Sequence, residues 1–434
     1  MRIAVVALGK IGLPLAVQFA SKGHQVVGVD SNPHVVDLVS RGTEPFPGEA
    51  GLQDQLSLLV PAGLLTATTD YAQAIPGADV VVVVVPLFVN EETWEPDFAW
   101  MQSATEKIGA NLTADTLISY ETTLPVGTTR HRWKPMLEEL SGLKEGVGFD
   151  LVFSPERVLT GRIFRDLKVY PKLIGALTAR GAKRAVQFYS SVLDFDPRED
   201  LPKPNGVWDL GSPEAAEMAK LAETTFRDVN IALANQYAHF AEGHGIDIHQ
   251  VIDACNSQPY SHIHRPGIAV GGHCIPVYPR LYLSCDPEAS VVRTARLANM
   301  DVPAQQVQRL ALALGGSLAR QRVVVLGAAY RGKVKETAFS GVFALVKQLE
   351  TAGATAVVHD PMFSDEELVG LGFAPYHLGE PVDAAVVQAD HPQYLTMGPT
   401  DLPGVRALLD GRAITTAAGW PGVVRLVIGV GETA

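Results

Sequence analysis

Cysteine is scarce: the 434-residue chain has three, Cys255, Cys274 and Cys285. Three thiols at these spacings build neither a disulfide framework nor a zinc site, so a reducing cytoplasm is expected and no metal. Long apolar runs are missing as well; none reaches the roughly 18 residues that a membrane span needs. The opening residues Met1-Arg2-Ile3-Ala4-Val5-Val6 read as a strand and lack the region order of a secretory signal. Positive charge is in deficit, with 35 Lys and Arg against 47 Asp and Glu and a net charge of −12. That balance argues against general nucleic-acid binding and leaves room for anionic small molecules, which need only a local basic pocket. Repeat arrays and low-complexity segments are also absent.

What remains has the texture of a globular enzyme, 47% hydrophobic and 19% charged. A chain of this length divides into two or three domains. Short apolar runs at 3–7, 25–29, 80–85, 116–120 and 151–153 alternate with helical patterns, the first of them at 13–21. The valine run at 80–85 marks a strand buried on both faces of a parallel sheet. At Ser212-Pro213-Glu214 a serine cap and a proline in the first turn start a helix that continues to about Gly243. Shorter helical segments follow to about Ala298, and strand-like runs at 322–326 and 355–359 restore the α/β rhythm. The expected fold is α/β, with two doubly wound Rossmann-like domains joined by a central all-helical domain carrying a long helix. Its expected limits are 1–205, 206–305 and 306–434.

Two segments carry chemistry. Ala7-Leu8-Gly9-Lys10-Ile11-Gly12 lies between a strand and a helix as a G-x-G-x-x-G turn with alanine at the first glycine. Gly9 allows close backbone approach to a pyrophosphate, and Gly12 allows tight helix–strand packing. Asp30 ends the second strand, where a carboxylate accepts from ribose hydroxyls and repels a 2′-phosphate, which favours NAD over NADP. A tight turn that binds something else is the plainer reading. The second segment is Gly271-Gly272-His273-Cys274-Ile275-Pro276, in which glycines leave the sulfur open to approach. A thiolate there can trap an aldehyde for a second oxidation, whereas an isolated cysteine is more often structural. Cys255 and Cys285 lack such flanks and read as structural.

With these two segments, the chain resembles the UDP-glucose/GDP-mannose dehydrogenase family along nearly its whole length. The resemblance rests on Gly9-Lys10-Ile11-Gly12-Leu13-Pro14-Leu15-Ala16, on Glu121-Thr122-Thr123 with Gly127-Thr128-Thr129, and on Ser154-Pro155-Glu156-Arg157. It continues through Lys220-Leu221, Phe226-Arg227-Asp228-Val229-Asn230-Ile231-Ala232 and the Cys274 segment. The last part adds Val325-Leu326-Gly327, Ala329-Tyr330-Arg331 and Asp360-Pro361. The Pro-Glu-Arg-Val and Val-Asn-Ile-Ala wording lies nearer the UDP-N-acetylhexosamine branch.

The resemblance implies a four-electron oxidation of a sugar C6 alcohol to a carboxylate with two NAD. The implied product-forming roles are these: Cys274 as nucleophile through a thiohemiacetal and thioester, Glu156 to activate the hydrolytic water, and Lys220 to stabilise oxyanions. Thr123 would orient a water or the substrate hydroxyl. The cofactor would meet Gly9, Lys10, Ile11, Gly12, Asp30, Val85 and Pro86. The substrate would meet Thr224, Arg265, Gly271, Gly272, Tyr278 and Arg331. The first part would bind NAD, the central helices would dimerise, and the last part would hold the UDP of the substrate. His273 is read as packing or backbone support.

Four positions depart from the family pattern. Thr224 stands for an asparagine and Tyr278 for an aspartate that pairs with the lysine. Gln258-Pro259-Tyr260 replaces a substrate-contacting arginine, for which Arg265 is the nearby candidate, and Ala338 replaces an arginine toward the cofactor. These leave open a branch that stops at the aldehyde, or a non-catalytic subunit that binds NAD and a nucleotide sugar. A hydroxy-acid dehydrogenase sharing only the first domain is a third reading, against which the last-domain match speaks.

Overall fold

Runs of branched apolar residues become strands whose side chains are buried on both faces, as parallel sheets flanked by helices require. A computed structural model describes residues 1–431, and the chain divides into two compact units, Met1–Ala222 and Glu223–Ala434. The range 306–434 therefore ends with three residues outside the described ones.

In the first unit the strands are β1 (Arg2–Val6), β2 (Gln25–Val29), β3 (Leu65–Thr68), β4 (Val80–Val83), β5 (Phe88–Val89) and β6 (Pro96–Asp97). They are followed by β7 (Thr116–Tyr120), β8 (Phe149–Phe153), β9 (Lys172–Ala176) and β10 (Val207–Asp209). β5 and β6 form a small antiparallel pair; the other eight form one sheet in the order β10-β9-β8-β7-β4-β1-β2-β3. Six of these strands have the 3-2-1-4-5-6 arrangement of a dinucleotide-binding sheet, with ligands expected at the carboxyl ends. β9 runs antiparallel to β8. One apolar core lies on each face, one around Ile3, Val5, Phe19 and Phe188, the other around Val81, Ile118, Trp133 and Phe153.

Two expected strands are shorter than the sequence suggests. The first stops at Val6 because Ala7 takes a left-handed backbone, φ 75°. The valine strand stops at Val83, two residues before Val85. The long helix, Pro213–Glu242, starts where its serine–proline signal lies, and Ser212 Oγ accepts the Ala215 amide at 3.2 Å.

In the second unit the remainder of that helix is followed by Ile248–Asn256, Tyr278–Cys285 and Ser290–Ala313. The last of these carries Pro303 in its interior and runs across residues 305 and 306. Then come β11 (Arg322–Leu326), β12 (Thr355–His359), β13 (Ala384–Val387), β14 (Ala407–Asp410) and β15 (Val424–Val427). They form an all-parallel sheet in the order β12-β11-β13-β14-β15. The fold is thus α/β, with a parallel-type sheet in each unit and helices between them in sequence. Among the described residues no helix is long and apolar enough to cross a membrane.

Candidate active site

The glycine turn closes tightly at its ends and stays open in the middle. The Ala7 amide donates to Val29 O at 2.7 Å, which ties the turn to the second strand. A Cβ on Gly12 would run into the Ala7 carbonyl, so only glycine lets the helix Gly12–Ser21 start this close. A Cβ on Gly9 would meet nothing within 4 Å, leaving space for a ligand beside the helix N-terminus. No acidic side chain occupies the first turn of that helix, and Ile11 supplies no side-chain cap. The peptide N–H groups of a helix start and the helix dipole suit a pyrophosphate there.

Asp30 uses one lone pair on each oxygen for the turn itself, accepting from Leu8 N at 2.8 Å and Asn32 N at 2.9 Å. A carboxylate has about four acceptor positions, so two remain for ribose hydroxyls. Lys10 and Pro86 are exposed, Ile11 is half-buried, and Val85 is buried with its carbonyl accepting from Thr122 Oγ1 at 2.7 Å. These residues fit an NAD-type dinucleotide.

At the carboxyl ends of β7 and β8, five polar side chains form a buried chain. Lys172 Nζ lies 2.6 Å from Glu121 Oε2 and 2.8 Å from Glu156 Oε2. Tyr189 donates to Glu121 Oε1 at 2.6 Å, and Ser119 Oγ lies 2.7 Å from the same tyrosine oxygen. The Arg157 amide donates to Glu156 Oε1 at 2.7 Å. Burial pushes Glu121 up to about 7; Lys172 opposes that shift and Glu156 adds to it. Burial works the same way on Glu156, but the Lys172 ammonium, the Arg157 amide and the charge of Lys220 outweigh it and hold this carboxyl below its usual range. Lys172 feels burial as a pull downward, and its two carboxylates reverse it. Of the two carboxyls, Glu121 is therefore the one whose charged form the site disfavours and Glu156 the one whose charged form it favours.

Lys220 sits on the first turns of the long helix and is buried, as is Thr123 after β7. One turn before Lys220, Glu217 takes three donors from the Gly127-Thr128-Thr129 segment: Gly127 N at 2.6 Å, Thr129 N at 2.9 Å and Thr129 Oγ1 at 2.6 Å. Burial raises Glu217 to about 7 against those three donors. The Arg130–Glu214 pair, at 2.5 Å, joins the same helix to the same segment.

In the second unit Cys274 is partly exposed in the loop before Tyr278–Cys285. Its carbonyl accepts from Val277 N at 3.2 Å and Tyr278 N at 2.9 Å, which brings the helix start next to the thiol. Gly272 has φ 92°, and its amide donates to Ala338 O at 2.9 Å. A Cβ on Gly271 would lie 2.6 Å from Tyr330 Cβ and 2.8 Å from Phe339 O, so both glycines are needed for the loop to lie against 330–340. Thr224 is fully buried, with Arg227 Nη2 3.4 Å from its hydroxyl. Tyr278 is the first residue of its helix, and Arg331 is half-buried with Nε 3.3 Å from Tyr330 OH.

Arg265 is held by Asp253 and by the His249 carbonyl, at 2.8 Å for the latter. His273 is not packed: it is 67% exposed and lies 3.5 Å from Glu336. Cys285 is exposed rather than structural in a core. Among the described residues no group of three His, Cys, Asp or Glu is placed to hold a metal.

Sequence reasoning passed over Lys172, Glu121, Tyr189 and Glu217 as functional residues. Glu121 stands in a segment quoted for resemblance, and Glu217 lies three residues before Lys220, so both could have been flagged. Lys172 gave no signal, because its partners come from strands 16 and 51 residues away in sequence.

Comparison with known proteins shows the family. The UDP-glucose/GDP-mannose dehydrogenase family matches in three consecutive parts: its NAD binding domain over residues 1–193, its central domain over 214–301 and its UDP binding domain over 324–417. UDP-N-acetyl-D-mannosamine dehydrogenase of Pyrococcus horikoshii is 33% identical over 398 residues, 91% of this chain and 90% of that protein. The enzyme of the same name from Yersinia pestis is 31% identical over 92% of this chain and 96% of its own. The solved structure of the Pyrococcus horikoshii enzyme has a TM-score of 0.87 at 32% identity and covers 99% of both chains. That of an NDP-N-acetyl-D-galactosaminuronic acid dehydrogenase from Methanosarcina mazei has 0.83 at 28%, over 99% of this chain and 95% of its own. The chain belongs to the UDP-glucose/GDP-mannose dehydrogenase family and is an NAD-dependent oxidoreductase that acts on the CH–OH group of a nucleotide sugar.

Proposed function

We propose that this enzyme oxidises the C6 alcohol of a UDP-N-acetylhexosamine, of the N-acetylmannosamine type, to the carboxylate. The observation that carries the sugar is the one-third identity, over nine-tenths of the chain, to an enzyme named for UDP-N-acetyl-D-mannosamine. NAD, when bound, accepts a hydride in each of the two oxidations. Gly9, Lys10, Ile11 and Gly12 hold its pyrophosphate, Asp30 its ribose, and Val85 and Pro86 flank it.

Cys274 adds to the aldehyde as a thiolate and forms a thiohemiacetal, whose oxidation leaves a thioester on the same sulfur. A partly exposed thiol on a Gly-Gly loop at a helix start supports this role. Water then attacks the thioester carbonyl; its proton passes to Glu156, the C–S bond breaks, and the electron pair returns to the sulfur. Lys220 stabilises the oxyanion that precedes each collapse, and Thr123 orients the hydroxyl or water. Thr224, Arg265, Gly271, Gly272, Tyr278 and Arg331 are the substrate-side residues of this reading.

Domain roles follow the ranges 1–205 for NAD, 206–305 for dimerisation and 306–434 for UDP. A homodimer in the cytoplasm is part of the proposal. Phe226, Leu233 and Phe240 recur every seven residues on the long helix, with Tyr237 between the last two, and all four are exposed. The test is a panel of UDP-N-acetylmannosamine, UDP-N-acetylglucosamine, UDP-glucose and GDP-mannose with NAD, scored by NADH and product mass. Two NADH per acid formed, with acid formation lost in Cys274→Ser, is expected. One NADH per free aldehyde would remove the thioester.

A further inference from the structure

We propose that Lys172 is a positioning residue for thioester hydrolysis, bridging Glu121 and Glu156 so that Glu156 stays ionised and aimed while Glu121 holds the proton the pair cannot both shed. The inference rests on the thioester reading above and names a residue that reading does not use.

Topology puts the lysine there. β9 is antiparallel to β8, with Phe153 opposite Gly175 and Val152 opposite Ala176. Continuing that register three residues past Phe153 brings Glu156 opposite Lys172, the first residue of β9. A parallel neighbour would begin at the other edge of the sheet; an antiparallel strand begins where β7 and β8 end, at the ligand-binding edge. Two backbone bonds lock the strand ends together: Glu156 N to Glu121 O at 3.1 Å and Glu121 N to Val83 O at 2.9 Å.

The three charges are out of water, with side-chain exposures of 4% for Lys172, 0% for Glu121 and 11% for Glu156. Two carboxylates and one ammonium leave one negative charge in excess, and in a buried site that excess favours one protonated carboxyl. The asymmetry of partners decides which. Glu121 has no exposed surface, so burial presses on its charge even against the donors Lys172 and Tyr189, whereas Glu156 shares Lys172, feels the charge of Lys220 as well, and is the more exposed carboxylate. Asp166 and Arg157 line the small cavity, about 10 Å³, on the Glu156 side, together with Tyr170 and Lys172. Glu156 is therefore the base and Glu121 the proton-holding partner.

When Glu156 takes the proton of the attacking water, its exposed edge passes that proton on to solvent and Glu156 returns to the carboxylate, while Glu121 keeps its own proton and Lys172 stays an ammonium. No atom is gained or lost. A purely structural ion triad would hold the strands without changing how hydrolysis depends on pH.

The test follows Cys274 by mass spectrometry of the intact enzyme during turnover with NAD and UDP-N-acetylmannosamine, in wild type, Glu156→Gln, Lys172→Met and Lys172→Arg. Lys172→Met is expected to accumulate the acyl adduct as Glu156→Gln does, with hydrolysis slowed about 100-fold near pH 7. Its hydrolysis should recover as pH rises, with the acid limb moved up by more than about one unit. KM should be little changed, and Lys172→Arg should restore most of the rate. An adduct in Glu156→Gln but none in Lys172→Met, or equal slowing of both oxidations at unshifted pH, overturns the inference and spares the thioester. No adduct in any variant, with Cys274→Ser still forming acid, overturns both. Should Lys172→Met fail to fold, carboxyl titration of the ligand-free wild type by isotope-edited infrared spectroscopy decides. One buried carboxyl that titrates near neutral pH and disappears in Glu121→Gln is expected; disappearance in Glu156→Gln instead refutes the assignment.

Discussion

At the end of the leading strand in each sheet the backbone makes a left-handed turn beside an aspartate, and the two turns have been put to different uses. In the first unit Ala7 has φ 75° and its amide donates to Val29 O at 2.7 Å; in the second, Gly327 has φ 112° and donates to His359 O at 2.7 Å. Asp30 and Asp360 then take the amides that follow. Asp30 receives one on each oxygen and remains half-exposed. Asp360 receives Ala328 N at 2.8 Å, Ala329 N at 3.0 Å and Met362 N at 2.9 Å, with His391 Nε2 at 3.2 Å, and is 4% exposed. Two residues past the first turn Gly9 looks into open space; in the second the apex itself is crowded, since a Cβ on Gly327 would strike Ala389, whose amide nitrogen would lie 2.8 Å away. A similar left-handed turn is thus open to a dinucleotide in one sheet and closed by the protein's own chain in the other.

Substitution of the two close-packed glycines should separate these uses most strongly. Gly327→Ala and Gly12→Ala each drive a methyl into backbone, so each is expected to cost about 3 kcal/mol or more in urea unfolding. Only Gly12→Ala should also abolish NAD binding in whatever folds, read by quenching of intrinsic fluorescence. Loss of NAD binding in Gly327→Ala at equal folded fraction would make the turns functionally alike and break the comparison.

The aspartates come next. Asp360→Ala strands three buried amides and should cost about 2–4 kcal/mol with unchanged NAD affinity. Asp30→Ala should cost about 1 kcal/mol of stability and weaken NAD tenfold or more, if the ribose takes its remaining acceptor positions. The pH signature of Asp360 has a definite sign. Burial works to raise this carboxyl, and the bonds from His391, Ala329 and Met362 reverse that, leaving it below its usual value. The unfolded state therefore binds its proton first as pH falls, so the stabilisation is complete above about pH 5 and is lost progressively on acidification below that. The stability gap between wild type and Asp360→Asn should narrow on acidification and stay constant from pH 5 upward.

How far the sequence discloses this architecture differs between levels. Strands at 25–29, 116–120, 322–326 and 355–359 are bounded in the structure where the apolar runs end, because a strand buried on both faces writes a continuous signal. The glycine turn and the Cys274 loop are legible for a similar reason: each needs glycine at positions where a Cβ meets backbone. The Lys172 bridge is not legible, since it depends on the antiparallel direction of β9, a long-range choice that no local pattern records. Burial of Glu121 and Glu217 is hidden for the same reason: a glutamate on a surface and one enclosed by a neighbouring strand read identically in sequence. Family resemblance filled part of the gap for Cys274, Lys220 and Glu156, and was silent on the residues that hold them.

The finest distinction between the turns is the residue at their apex. Gly327 has no alternative, because Ala389 occupies the position of its missing Cβ. Ala7 carries a methyl at φ 75°, a conformation that costs an L-residue roughly 1–2 kcal/mol. It persists because the turn is imposed from three sides, by Val29 O, by Asp30 and by the helix that starts at Gly12. Ala7→Gly removes that strain but gives the unfolded chain more freedom, a loss of about 0.4–1 kcal/mol. The net should be a small stabilisation, of the order of 0.5 kcal/mol, seen as a higher urea midpoint with unchanged slope and unchanged NAD affinity. The gain should grow in an Asp30→Ala background if Asp30 is what holds the alanine in place, and remain the same if the helix start does so alone. A destabilised Ala7→Gly would mean that the methyl makes packing contacts worth more than its strain, and that the first turn, like the second, is built around the residue it carries.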